Sequence, residues 1–349
     1  MRSFIDLDGI LGSVPAAVVL NLSAIDHGRG SELLYREQLP GLLTSLADRA
    51  RIASITASSA IEGVVIDSPA RAERIISGRA DVLRTRSEQE LAGYRDAQDY
   101  LFRENWKPLN AGLLLHVHRM LFAHASATGG RFKAHDNLVV DCAADGRVTT
   151  RFRPVAAAET EFYVAELVER FDVAYRAGRH HPVLVIGLFA LDLLVVHPFE
   201  DGNGRVTRAV TTALLFDAGY SVGRYVSLEE SIADRADEYY ETLLRSTHGW
   251  HAGESDPWPW LGYLTTILAG AYERFGDRAA AARSGGTKQD RVRDYVLRHA
   301  PARFRIADVR TALPVVSDQT IRIALDDLRR AGLVSVDGVG RGAAWERHR

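Results

Sequence analysis

The twelve residues His197-Pro198-Phe199-Glu200-Asp201-Gly202-Asn203-Gly204-Arg205-Val206-Thr207-Arg208 gather side chains suited to phosphate chemistry. Arg205 and Arg208 are three apart, so both project from one face of a helix's first turn. Two guanidiniums suit a polyphosphate better than a single carboxylate, because each can make paired bonds to phosphate oxygens. Asp201 offers a hard oxygen of the kind Mg2+ takes when it bridges phosphates. Asn203 can donate to a phosphate oxygen. The ordinary pKa of histidine suits His197 to taking a proton from a hydroxyl near neutral pH. Base, metal ligand and phosphate clamp together read as phosphoryl or nucleotidyl transfer. No Gly-Lys-Ser/Thr follows the turn and a helix precedes it, so it is not a Walker A loop.

Two helices must hold this turn. Pro182 to Val196 is almost wholly apolar and long enough for four turns, and a helix apolar on every side is a buried one. Arg205 to Ala218 carries a second helical pattern that stops at Gly219. The glycines between them allow positive φ and close approach to a ligand. The turn opens onto a helix start, where unpaired N–H groups and the dipole favour an anion.

The stretch resembles the signature of the Fic family, His-x-Phe-x-(Asp/Glu)-Gly-Asn-Gly-Arg-x-x-Arg, with every fixed position matched. The resemblance implies transfer of AMP from ATP with Mg2+ to a Ser, Thr or Tyr hydroxyl of a target protein. It implies His197 as general base and Asp201 as Mg2+ ligand. It places the nucleotide along Gly202, Asn203, Gly204, Arg205, Val206 and Thr207, with Arg208 on the γ-phosphate. The plain alternative is a Gly-rich helix–helix turn with capping arginines, which eight fixed positions disfavour.

A second motif lies upstream. Ser31 to about Ile61 is helical in pattern, broken at Pro40-Gly41 into a short lead-in and a longer helix. That helix ends in Ser58-Ser59-Ala60-Ile61-Glu62-Gly63, with Gly63 suited to the position just past a helix end. Ser58 and Glu62 are four apart and share a face. The segment resembles the inhibitory motif (Ser/Thr)-x-x-x-Glu-(Gly/Asn) of many Fic proteins. The resemblance implies that Glu62 pairs with Arg208 and displaces the γ-phosphate, since carboxylate and phosphate compete for one guanidinium. The bland alternative is an exposed glutamate at a helix end, where the dipole disfavours it.

The 349 residues suggest two or three domains, and 46% hydrophobic with 25% charged content is ordinary for a soluble protein. A net charge of −2 gives no global reason to expect nucleic acid or membrane. The single cysteine, Cys142, excludes an internal disulfide and fits a reducing compartment, so the expected location is cytoplasmic. The first residues lack the apolar core of a signal peptide. The run before His197 holds Asp192 and falls short of a membrane span.

The expected architecture is mainly α: an N-terminal helical region (1–105), a Fic core with a small β-hairpin flap (106–278) and a C-terminal winged helix-turn-helix (285–349). Residues 1 to about 30 read as an irregular arm. Ser87–Leu101 and Asn110–Ala123 read as helices, and the i, i+2 spacing of His116 and His118 argues against a metal pair. Leu138–Asp141 and Arg147–Phe152 flank an Asp-Gly turn at Ala144–Gly146, a hairpin signal. In the family this hairpin aligns a target segment, a role strand addition would serve. Ala158–Ala177 reads as a helix, and His181 suits a cap on the apolar helix that follows. Glu229–Ser246 reads as one helix carrying Tyr239 and Tyr240. The resemblance puts an aromatic beside adenine here, and spacing selects Tyr240, although such aromatics more often serve the core. The last core helix runs from Trp258 to about Phe275, and residues 279–288 read as a linker.

Residues 285–349 hold 13 Lys and Arg against 8 Asp and Glu. Three helical segments and a hairpin pattern there resemble a winged helix-turn-helix, with Gln319, Thr320 and Arg322 facing a DNA major groove and Arg341 on the wing. Asp318, Asp326 and Asp327 on the same helix would repel phosphates, so a protein-interaction module stands beside DNA binding. A homodimer stays open. Transfer of phosphate, UMP or phosphocholine, removal of AMP, and a nucleotide-sensing DNA-binding regulator also stay open.

Overall fold

A computed structural model of the chain describes residues 2–103, 106–125, 129–142, 148–283, 288–338 and 343–348. It opens with α1 (Leu7–Leu11), α2 (Ala16–Gln38), α3 (Pro40–Ile61), α4 (Pro69–Ile76), α5 (Arg86–Arg103) and α6 (Ala111–Leu121). An antiparallel hairpin follows, β1 (Val139–Cys142) and β2 (Val148–Phe152), with a bulge between Val139 and Val140. Helices α7 (Thr160–Ala177), α8 (Pro182–Val196) and α9 (Asn203–Asp217) come next. Then α10 (Leu228–Ala233) and α11 (Ala236–Thr247) lead to α12 (Trp258–Arg283). The final segment is α13 (Lys288–Arg298), β3 (Arg303–Arg305), α14 (Ile306–Ala312), α15 (Asp318–Arg330), β4 (Val334–Asp337) and β5 (Ala344–Arg347), its strands antiparallel in the order β3-β5-β4. The mainly helical architecture with one small central hairpin is as expected.

Helix α8 is the buried axis, packed between α7, α9 and α12. Each Val, Leu, Ile or Phe it buries contributes about 1.5–3 kcal/mol. Pro182 fills its first turn and His181 caps it, the ring Nδ1 accepting from the Val183 N–H at 3.3 Å. Its one charged residue, Asp192, is fully buried. The carboxylate accepts the Ser3 hydroxyl at 2.8 Å and the Trp250 indole N–H at 2.7 Å, and burial pushes its pKa up to about 6.

Three expectations fail. Residues 16–30 are not an irregular arm but belong to α2, which packs along α12. Gly28 lies against Tyr272, where a Cβ would come within 2.6 Å of the ring. It serves helix packing. The span Glu229–Ser246 is two helices, because the chain leaves helical geometry at Arg235 (φ −128°, ψ 39°). Asp234 and Arg235 are exposed there, so no buried contact holds that turn continuous. Residues 279–283 continue α12 rather than begin a linker, since alanine favours helix and Ala279 is buried.

The C-terminal segment has its own core, built around Val292, Phe304, Ile321, Leu325 and Trp345. It touches α3: Arg49 donates to the Tyr295 hydroxyl, and the Ser45 hydroxyl donates to the Thr311 carbonyl. Ser317 caps α15, with Gln319 and Arg322 exposed. Arg341 and the hairpin turn Ala144–Gly146 lie outside the described residues.

Candidate active site

His197 ends α8 in the left-handed region (φ 48°, ψ 60°), where a non-glycine residue is strained. That conformation turns the chain sharply toward the start of α9. The ring Nδ1 sits 3.2 Å from the Leu194 carbonyl, which can only accept, so Nδ1 carries the proton and Nε2 keeps a lone pair. Burial lowers the pKa to about 4, leaving the imidazole neutral at pH 7.

Gly202 caps α9 with φ 80°. Val206 N–H donates to the Gly202 carbonyl at 3.0 Å, the first bond of the helix. The N–H groups of Asn203, Gly204 and Arg205 precede it at the helix start. Asp201 is half-exposed, its Oδ1 accepting the Gly202 N–H at 2.6 Å and its Oδ2 facing Arg86 at 3.4 Å. Among the described residues no three His, Cys, Asp or Glu side chains gather into a metal cage.

The two arginines sit apart in role. Arg205 is buried and pairs with Glu90 at 2.7 Å and with Asp201 at 3.5 Å. Arg208 is held on three bonds from α3 and its end. Its Nε donates to the Ser58 hydroxyl at 2.9 Å, and its Nη2 donates to the Ser58 carbonyl at 2.9 Å and to Glu62 Oε1 at 2.8 Å. The pair raises the guanidinium pKa further, despite burial, so Arg208 is permanently charged. Gly63 follows at φ 75°, the expected C-terminal glycine. Glu62 lies directly over the start of α9: a Cβ on Gly204 would stand 2.0 Å from Glu62 Oε1.

The Asn203 side chain turns inward, Oδ1 accepting the Phe199 N–H at 2.9 Å and Nδ2 donating to the Phe199 carbonyl at 2.8 Å. Buried backbone groups must find partners, and Asn203 supplies both for Phe199. Val206 and Thr207 are buried too. Tyr240 stands on the same wall, its hydroxyl donating to the Ile61 carbonyl at 3.3 Å. The Arg151 guanidinium lies 4.8 Å from its ring centre.

Residues 108–215 match the Fic/DOC family model. This region carries a Fic/DOC domain. Over 69 residues the chain is 38% identical to protein adenylyltransferase Fic of Nematostella vectensis, a match spanning 20% of this chain and 15% of that relative. A Fic family protein from Desulfovibrio desulfuricans shares the fold with a TM-score of 0.62 at 19% identity, over 96% of this chain and 97% of the other. A Fic-domain signalling protein from Bacteroides thetaiotaomicron aligns with a TM-score of 0.58 at 18% identity, over 76% of this chain and 98% of the other.

Two further residues shape the site, Glu90, which the sequence pattern did not single out, and His118, for which the sequence argued only against a metal pair. Glu90, on α5, is the buried partner of Arg205 and also accepts Arg86 Nε at 2.6 Å. His118 is buried, stacks on Phe199 at 3.9 Å, and joins the Asp201 carbonyl to the Gly130 N–H through its two ring nitrogens. Burial lowers its pKa to about 4, consistent with a neutral structural histidine. Its i, i+2 separation from His116 does put the two apart, with His116 against Tyr100 instead. Only the burial of its helix face, visible in the pattern Leu114-Val117-Leu121, hinted at this.

Proposed function

We propose that this chain is a protein adenylyltransferase restrained in cis by Glu62. The observation that carries the proposal is the placement of the Glu62 carboxylate, bonded to Arg208 and lying over Gly204 at the start of α9. An anion already sits where backbone N–H groups and a guanidinium would receive a phosphate. ATP is the proposed donor, with its β- and γ-phosphates along the N–H groups of Asn203, Gly204 and Arg205 and on Arg208. Asp201 would hold Mg2+. A single half-exposed carboxylate fits an ion that arrives with the triphosphate, which Mg2+ commonly does. We place adenine beside Tyr240.

In the proposed reaction, a target Ser, Thr or Tyr oxygen bonds to the α-phosphorus and the bond to the β-phosphate oxygen breaks. Pyrophosphate leaves with that electron pair, and His197 Nε2 takes the hydroxyl proton. A neutral imidazole with a fixed tautomer supports this assignment. Arg205 and Arg208 offset charge on the leaving diphosphate. The β1–β2 hairpin is the proposed seat of the target segment. Residues 1–105 serve as the inhibitory region and 106–278 as the Fic core. Residues 285–349 are read as a winged helix-turn-helix, with DNA or protein as its partner.

Incubation of wild type, Glu62→Gly and His197→Ala with labelled ATP and Mg2+ tests the proposal. Incorporation should rise in Glu62→Gly and vanish in His197→Ala. The added mass on the modified protein should equal AMP; an added phosphate would redirect the assignment to phosphoryl transfer.

A further inference from the structure

The loop that carries His197 is strapped from outside the signature. Lys133 Nζ donates to the Val196 carbonyl at 3.1 Å, and Lys133 N–H donates to the Pro198 carbonyl at 2.9 Å. One residue therefore grips the backbone on both sides of the strained His197. The same Nζ donates to Asn137 Oδ1 at 2.9 Å, and Asn137 Nδ2 donates to the Phe199 carbonyl at 3.0 Å. That carbonyl also receives Asn203 Nδ2. Lys133 is 4% exposed, so it is shielded from any ligand in the turn.

Burying an ammonium is costly, and the Asp136 carboxylate nearby offsets only part of that cost, burial pushing the Lys133 pKa down to about 8. Among the described residues the Lys133 side-chain hydrogen bonds go to two neutral oxygens. Stability alone does not explain a lysine there. What the arrangement does supply is a rigid left-handed turn at His197, with the carbonyls of residues 196, 198 and 199 all anchored. We infer that Lys133 and Asn137 are positioning residues that hold the His197 imidazole in register with the start of α9. The strap leads directly into β1, so it also ties the base to the hairpin.

This inference rests on His197 being the base, and the test separates the two. In a Glu62→Ala background, Lys133→Met should lower kcat by roughly ten- to hundredfold, the range expected when a reacting group shifts by about an ångström. KM for ATP should stay within about twofold. Lys133→Arg should restore part of kcat, because its fork can reach both acceptors. Asn137→Ala keeps the Lys133 bond to Val196 and gives a milder variant with a smaller loss, should Lys133→Met fold poorly. Nitrogen NMR of labelled histidine should show the Nδ1–H tautomer of His197 in the parent and a mixed signal in Lys133→Met. An unmoved imidazole signal, or kcat unchanged in both variants, would overturn the strap. Full transfer by His197→Ala with a displaced imidazole in Lys133→Met would remove the base assignment and leave the strap standing.

Discussion

Replacing Glu62 with alanine removes one carboxylate from Arg208 and leaves the two Ser58 bonds that aim the guanidinium. Alanine isolates the carboxylate better than glycine, which would also loosen the end of α3. A charge-assisted hydrogen bond contributes about 1.5–3 kcal/mol, and each 1.4 kcal/mol is tenfold in an equilibrium. A γ-phosphate freed from this competitor should therefore bind productively about ten- to hundredfold more often, and AMP incorporation should rise by that factor. Stability should move the opposite way. Arg208 is buried and Glu62 about a quarter exposed. The loss should thus fall below the 3–5 kcal/mol of a fully buried pair, nearer 2 kcal/mol. ATP with Mg2+ supplies the missing negative charge and should return about 2.7 kcal/mol at a hundredfold excess over Kd. Labelled-ATP incorporation and thermal melting with and without ATP read both effects. Equal incorporation, together with melting temperatures that do not separate, would refute the competition between carboxylate and phosphate.

Gly204→Ala in the Glu62→Ala background should abolish transfer, since its methyl would fill the space at the start of α9 that Glu62 occupies in the parent; retained transfer would move the phosphates elsewhere. The pH profile should lack a limb near the ordinary histidine value. A base acts in its neutral form, and burial lowers His197 to about 4, so kcat/KM should stay flat from roughly pH 8 down toward pH 5 for this group. Removing Glu62 takes away a carboxylate that favours the imidazolium, which moves the limb lower still; a limb near pH 6.5 would contradict the burial argument. Duplex DNA titrated into the intact chain probes the exposed face of α15: Arg322→Glu should weaken binding and lessen its salt dependence. Identical binding by both proteins would take that face out of any groove.

The site was legible in sequence where its chemistry is local. From His197 to Arg208 the chain folds as a helix end, a glycine turn and a helix start, all specified within twelve residues, and the structure keeps that order. Asn203 shows the limit even there. Its amide was free on paper, but the buried Phe199 backbone needed a donor and an acceptor, and that demand is set by packing. Glu62 reaches Arg208 across a sequence separation of 146, a pairing that spacing alone could not supply and that the motif resemblance anticipated.

Glu90, His118, Lys133 and Asn137 had no such guide. Each acts through contacts made far along the chain, and each looks in sequence like an ordinary helix or loop residue. The division follows from what the two sets do. Groups that face the reacting phosphate must be few and close together, so their spacing survives as a pattern. Groups that hold them are chosen by whichever element packs alongside. The Fic turn would keep its twelve residues unchanged while losing its geometry if α5, α6 or the strap before β1 were altered. Activity in this chain should therefore be as sensitive to Lys133 and Glu90 as to several members of the signature itself, and more sensitive to them than to Val206 or the exposed Glu200.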